Sequence, residues 1–266
     1  MPGGPVPGGP VPGGPVSAGP VSRAASRVLT TARLSRGLPV AVPWAAPLYV
    51  GAVQLGAYAT ARLPGHRRTE LLRAHSTNVA NLRAGKWQTL VTSAVFVEEP
   101  LPVAYGAALL AALGTAEARW GPWRTAGVFA AGHVGASLLV YAALRGRFPG
   151  SAPAAPAAPG TPPTDPGARA VHAPEATVDG PPDATARAID VGASYGFNAT
   201  VGALAATVPH RGVRTAATAG LLALGTWPVL RRRRTFTDAG HLAALALGVA
   251  TGTGMRAVKG RRTGGG

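Results

Sequence analysis

Two side chains that could do chemistry together lie in two separate uncharged stretches. Ser194 sits a few residues into Val191–His210, and His241 a few residues into Ala239–Met255. A hydroxyl within hydrogen-bond reach of an imidazole is the basic unit of an activated nucleophile. An ionisable side chain inside an apolar span is a functional candidate by default. Both residues also have a plainer use. A Ser at a helix contact bonds a backbone carbonyl, and a His at a helix start can simply face the interface. Gly192 and Gly196 flank the Ser, and Asn198 follows it by one turn as a candidate hydrogen-bond donor into the site. Asp190 and Asp238 precede Ser194 and His241 by four and three residues, a spacing that shares one helix face. Acids there equally suit the positive end of a helix dipole, which is the preferred reading. Asp238 is kept as a candidate support for His241. His133, within Gly132-His133-Val134-Gly135, is the competing imidazole and is read as packed.

The elements that would carry these groups follow from where charge is missing. Gly37–Ala61 is 25 residues without a charge, Thr125–Leu144 is 20, Val191–His210 is 20, Thr215–Leu230 is 16 and Ala239–Met255 is 17. Trp87–Ala116 carries only Glu98 and Glu99. A helix crossing the hydrocarbon layer needs about 20 mostly apolar residues. Small residues suit close packing of such helices. An Ala-rich soluble bundle would show a charged face on each helix. The expected fold is therefore an all-α membrane protein with six transmembrane helices, near 39–61, 100–116, 123–144, 188–208, 213–230 and 238–255. Helices four and six then run in the same direction, which brings Ser194 and His241 to a similar depth. Glu98-Glu99-Pro100 reads as the start of the second helix, with Pro in its first turn. Trp87–Val97 is too short to span and reads as interfacial or re-entrant.

The chain of 266 residues has 26 Lys+Arg against 10 Asp+Glu, a formal charge of +16, and a mean hydropathy of +0.18. Cysteine is absent, which excludes a disulfide framework, a thiol nucleophile and a Cys-based zinc site. The arginines are scattered over all connections, without a stripe interleaved with aromatics, so nucleic acid is not an expected partner. No phosphate loop, metal-ligand spacing or dinucleotide fingerprint is present, so no cofactor or metal is expected. The cationic residues divide almost evenly between the two sides of a six-span topology, so the positive-inside rule assigns no orientation.

The expected organisation has five parts. Residues 1–36 form a disordered tail that opens with Pro-Gly-Gly-Pro-Val repeats. Residues 37–144 carry helices one to three and a membrane-embedded first loop. Residues 145–186 form a flexible Pro/Ala-rich loop, 187–256 carry helices four to six, and 257–266 form a basic Gly-rich tail. The expected location is a cell membrane, crossed several times, with the lipid bilayer as the principal partner.

Four segments in this order resemble the rhomboid family of intramembrane serine proteases. Lys86-Trp87-Gln88-Thr89-Leu90-Val91-Thr92-Ser93-Ala94-Val95-Phe96 resembles the family's Trp-Arg segment in its first loop. Glu117-Ala118-Arg119-Trp120-Gly121 resembles the Glu-x-Arg-x-Gly turn after the second helix. Gly192-Ala193-Ser194-Tyr195-Gly196, with Gly202-Ala203, resembles the Gly-x-Ser-Gly nucleophile motif. Gly240-His241-Leu242-Ala243-Ala244, with Gly248, resembles the last helix with its His and small residues every four. The resemblance implies a dyad of Ser194 as nucleophile and His241 as general base, with transmembrane proteins as substrates. It also implies helix packing through Gly192, Gly196, Gly202, Ala244 and Gly248. The alternative it implies is a catalytically inactive relative that binds transmembrane clients. The family's His-x-x-x-Asn oxyanion pair falls on Leu101 or Pro102 and on Tyr105 or Gly106, so the remaining candidate donors are the Ser194 amide and the Tyr105 hydroxyl. Tyr195 stands where the family has Gly, Gln88 replaces Arg and Ala244 replaces Gly.

Overall fold

The computed structural model describes residues 42–147, 188–231 and 235–263. The expected N-terminal tail, and the Pro/Ala-rich loop beyond residue 147, lie outside the described residues. Among those residues the chain is helical, with no strand. The helices are α1 (Ala45–Ala61), α2 (Gly65–His75), α3 (Val79–Arg83), α4 (Thr89–Thr92) and α5 (Val103–Trp120). They continue with α6 (Pro122–Arg147), α7 (Ser194–Ala206), α8 (Arg211–Leu230) and α9 (Phe236–Thr263).

The second long helix starts later than Glu98-Glu99-Pro100 suggests. Pro102 is its N-cap, and the helix begins at Val103. A residue before Pro is pushed out of the α region, so Pro100 and Pro102 together keep residues 99 and 101 extended. The two acids therefore do not enter the first turn. At the other end Gly121 takes φ +83 and ends α5, and Pro122 opens α6 directly. Gly past one helix end and Pro at the next start is the asymmetry expected of helix termini.

The fourth long helix begins at Ser194, not near 188, and is 13 residues long. The preceding stretch is held in another way. The Ser76 hydroxyl accepts from the Asp190 amide at 2.7 Å, the Thr77 amide donates to the Asp190 carbonyl at 3.1 Å, and the Gly192 amide donates to the Ser93 carbonyl at 2.7 Å. Gly192 has φ +133, open to Gly but strained for other residues. Asp190 is thus outside the helix and shares no helix face with Ser194. The last helix runs to Thr263, beyond the tail boundary expected at 256, because Gly252 lets it keep packing on Ala203.

The bundle is built around α7 and α9, whose contact is the most extensive, with α6 against both. At Gly248 an added Cβ would overlap the Ala199 backbone, and at Gly202 it would overlap the Leu245 carbonyl. The two backbones approach closely because these positions have no side chain. Helix α5 links this centre to α1 through a cluster of Ala46, Leu109, Leu113 and Ala193. Glu117 of α5 fixes the start of α1. Its buried carboxylate accepts from the amides of Trp44 (3.0 Å), Ala45 (3.0 Å) and Ala46 (2.8 Å). These are amides that no intrahelical carbonyl can satisfy, and the acid also meets the positive end of the dipole.

One helix, over Pro122–Leu144 (23 residues), is long and apolar enough to cross a membrane among the described residues. Apolar side chains also point outward elsewhere. Leu55, Tyr58, Leu224 and Trp227 are exposed, and α8 buries none of its residues. The segment before α5 buries Thr89 and Ser93 together with Leu90 and Ala94, and turns Trp87, Val91 and Val95 outward.

Candidate functional site

Ser194 is the first residue of α7, after the N-cap Ala193, and is half-buried. His241 lies in the second turn of α9 and is also half-buried. Between them stands Tyr195. Its ring is buried against Ala136 and Ala244 and lies over Gly240, where a Cβ would collide with it. It meets the His241 ring edge-on, with centroids 5.3 Å apart. The starts of the two helices are therefore at one level and joined by an aromatic contact. The Ser194 hydroxyl makes no hydrogen bond with a described residue, while its carbonyl accepts from Asn198 Nδ2 at 2.8 Å. Asn198 thus bonds back along its own helix.

The other candidates fall around this centre. Tyr105 packs its ring edge-on to Phe197, 5.6 Å away, on the α5 side of α7. Asp238 forms a capping box with Thr235: its carboxylate accepts from the Thr235 amide at 2.8 Å, and the Thr235 hydroxyl accepts from the Asp238 amide at 3.3 Å. This is the helix-start role anticipated for that acid. Gly196 lies under the Phe129 ring, and Ala244 is buried beside Tyr195. The α7 start has no side-chain cap, and the first intrahelical bond in it is from the Phe197 amide to Ala193. The amides of Ser194, Tyr195 and Gly196 precede that bond, so they are donors without an intrahelical partner.

A hydrogen-bonded Ser–His pair lies near Tyr195, and sequence reasoning did not find it. The Ser93 hydroxyl is 3.0 Å from His133 Nε2 and 2.8 Å from the Thr77 hydroxyl, and all three side chains are buried. Thr77 also donates to the Thr89 carbonyl at 2.7 Å. The Tyr141 hydroxyl lies within hydrogen-bond reach of the Thr77 carbonyl and of Asp190 Oδ2, the latter at 2.9 Å, with one proton to share between them. His133 Nδ1 is buried without a partner among the described residues, and the His133 ring is 6.0 Å from that of Tyr195. His133 is thus packed, as expected, but it also closes a polar network. The one sequence signal was the spacing of Thr89 and Ser93 in an otherwise apolar segment. Their partners are 12 to 40 residues away, which local pattern does not reveal.

The described residues form a helical bundle with apolar side chains turned outward, one helix apolar enough to cross a membrane, and a buried polar seam. The rhomboid-like protein family model matches residues 35–155 and 170–261. The chain belongs to the rhomboid-like protein family. No match is found among curated proteins or among solved structures.

Proposed function

We propose that this rhomboid-like membrane protein is an intramembrane serine endopeptidase of six membrane-crossing helices, with Ser194 as nucleophile and His241 as general base. The observation that supports it most is the edge-on contact of Tyr195 with His241, which sets the Ser194 and His241 helix starts at one level beside a closely packed seam. The exposed Trp87, Val91 and Val95, with the hydroxyls of Thr89 and Ser93 turned inward, suit a first loop lying within the apolar layer.

The steps are those of acyl transfer. The Ser194 Oγ attacks the substrate carbonyl while His241 takes the hydroxyl proton. The oxyanion is met by the uncapped amides at the start of α7, where the helix dipole favours negative charge. The amine leaves with the proton from His241, and an ester remains on Ser194. Water, deprotonated by His241, then releases the acid and restores the hydroxyl. An unliganded site often lacks its working hydrogen bond until substrate is bound, in keeping with the unbonded Ser194 hydroxyl.

A second reading has its own observation. The Tyr195 ring fills the gap between α7 and α9, which suits a relative that binds transmembrane clients without cutting them. The test is cleavage of a model transmembrane substrate in reconstituted vesicles, together with labelling by a fluorophosphonate probe. The wild type cuts and is labelled, and Ser194→Ala does neither, with a rate loss of at least about 10³-fold. Equal cleavage by both proteins, or neither cleavage nor labelling by the wild type, overturns the peptidase reading. Wild-type capture of the substrate without cleavage establishes the second.

A further inference from the structure

At the opposite ends of α7 and α9 lies a cavity of about 920 Å³. It is about 20 Å from Ser194, the length of a 13-residue helix at 1.5 Å per residue. Three helices contribute to it. Arg119 and Trp120 come from the end of α5, Arg124 and Val128 from the start of α6, and Met255 and Arg256 from the last turns of α9. None of the three arginines has a carboxylate partner among the described residues. The nearest acid in sequence, Glu117, is committed to the start of α1. Arg214 is within electrostatic reach of Arg256 and Arg211, so the surroundings add positive charge.

Several guanidinium groups lining one cavity attract an anion. The guanidinium fork matches phosphate oxygens two at a time. The remaining wall is apolar, and Trp is a residue favoured at the membrane–water interface. The Thr207 and Thr251 hydroxyls also line the cavity. Each donates to a carbonyl of its own helix, so its oxygen can accept from a head-group hydroxyl but its proton is not offered to a phosphate. Positive rim and apolar wall in one cavity of this size fit an amphiphile better than a small ion.

We propose that this cavity binds the phosphate-bearing head group of an anionic glycerophospholipid, with Arg119, Arg124 and Arg256 around the phosphate and the upper acyl chain against Trp120, Val128 and Met255. The site is separate from Ser194 and His241 and does not depend on whether they cut a substrate.

The test uses the full chain in vesicles of equal phosphatidylglycerol and phosphatidylcholine, extracted into mild detergent and read by native mass spectrometry. The wild type retains phosphatidylglycerol in preference to phosphatidylcholine. Arg119→Gln/Arg124→Gln/Arg256→Gln retains at least about tenfold less, since each surface Arg contributes about 1 kcal/mol to anionic lipid binding. These side chains are exposed, so an unchanged thermal melt is expected of the variant. Gly127 lines the cavity, and a Cβ there meets nothing. Gly127→Trp therefore keeps every charge, fills the space and also loses the lipid. Equal retention of both lipids, or undiminished retention in either variant, overturns the proposal. Displacement of the lipid by millimolar inorganic phosphate overturns the lipid source and assigns the cavity to a free anion.

Discussion

The bonded Ser93–His133 pair and the proposed site of Ser194 and His241 lie in one bundle and are built in opposite ways. Ser93 and His133 are hydrogen-bonded at 3.0 Å and sealed, with 1% and 4% of their surfaces exposed. Ser194 and His241 are half-buried, and an aromatic ring connects their helices. The bonded pair uses its polar atoms to hold the segment around residues 76–93 against α6 and the 188–192 stretch. Its hydroxyl has no route to a polypeptide or to water. The half-buried pair sits where helix-start amides are uncapped and a substrate could approach. Proximity of a hydroxyl to an imidazole therefore does not by itself mark a nucleophile. Access and unused donors do.

That contrast can be broken at several points. The largest effect expected is on chemistry: His241→Ala removes fluorophosphonate labelling of Ser194 by at least about 10³-fold, while the thermal melt in detergent stays near wild type. Labelling that survives this change while Ser93→Ala abolishes it would exchange the roles of the two pairs. Next comes the seam that holds the half-buried pair at one level. Gly248→Leu forces a side chain into the Ala199 backbone and costs more than about 4 kcal/mol, a size reserved for gross overpacking or loss of a network. The readout is failure to recover monodisperse protein; normal recovery would contradict the close approach.

Smaller effects belong to the polar network and its distant counterpart. Ser93→Ala leaves the Thr77 hydroxyl and His133 Nε2 without that partner and costs about 1–3 kcal/mol, read as a lowered melting temperature with labelling of Ser194 retained. Glu117→Gln keeps the shape but turns one accepting oxygen into an NH2 that only donates, so at least one of the three amide bonds is lost and the rest become neutral. It costs about 1–3 kcal/mol, the penalty of a donor left unpaired. The smallest expected change is Asp238→Ala, which removes half of a capping box for about 1 kcal/mol. A loss of labelling from this last variant without a loss of stability would give Asp238 a role toward His241 instead.

Much of the helical frame was legible in the residues. Uncharged runs located the long helices, because a charge in lipid or in a tight seam is costly wherever it falls. Their ends were less so. Helix α5 begins at Val103 because two prolines act on their neighbours, and α7 begins at Ser194 because residues 188–192 bond to Ser76, Thr77 and Ser93 instead of to one another. The small residues spaced along α7 and α9 were readable as a contact surface, but which backbone lay opposite each was not.

By itself, the sequence determined what each segment can do locally: which stretches exclude charge, where Gly and Pro interrupt a helix, and which two residues carry the candidate hydroxyl and imidazole. Only the tertiary structure decided the pairings across the chain. Ser93 meets His133 over 40 residues, Glu117 reaches Ala46 over 71, and Asp190 meets Ser76 over 114. Three arginines from three helices line one cavity. The physical reason is that hydropathy and backbone preference act over a few residues, whereas a buried polar group must find its partner wherever packing brings one.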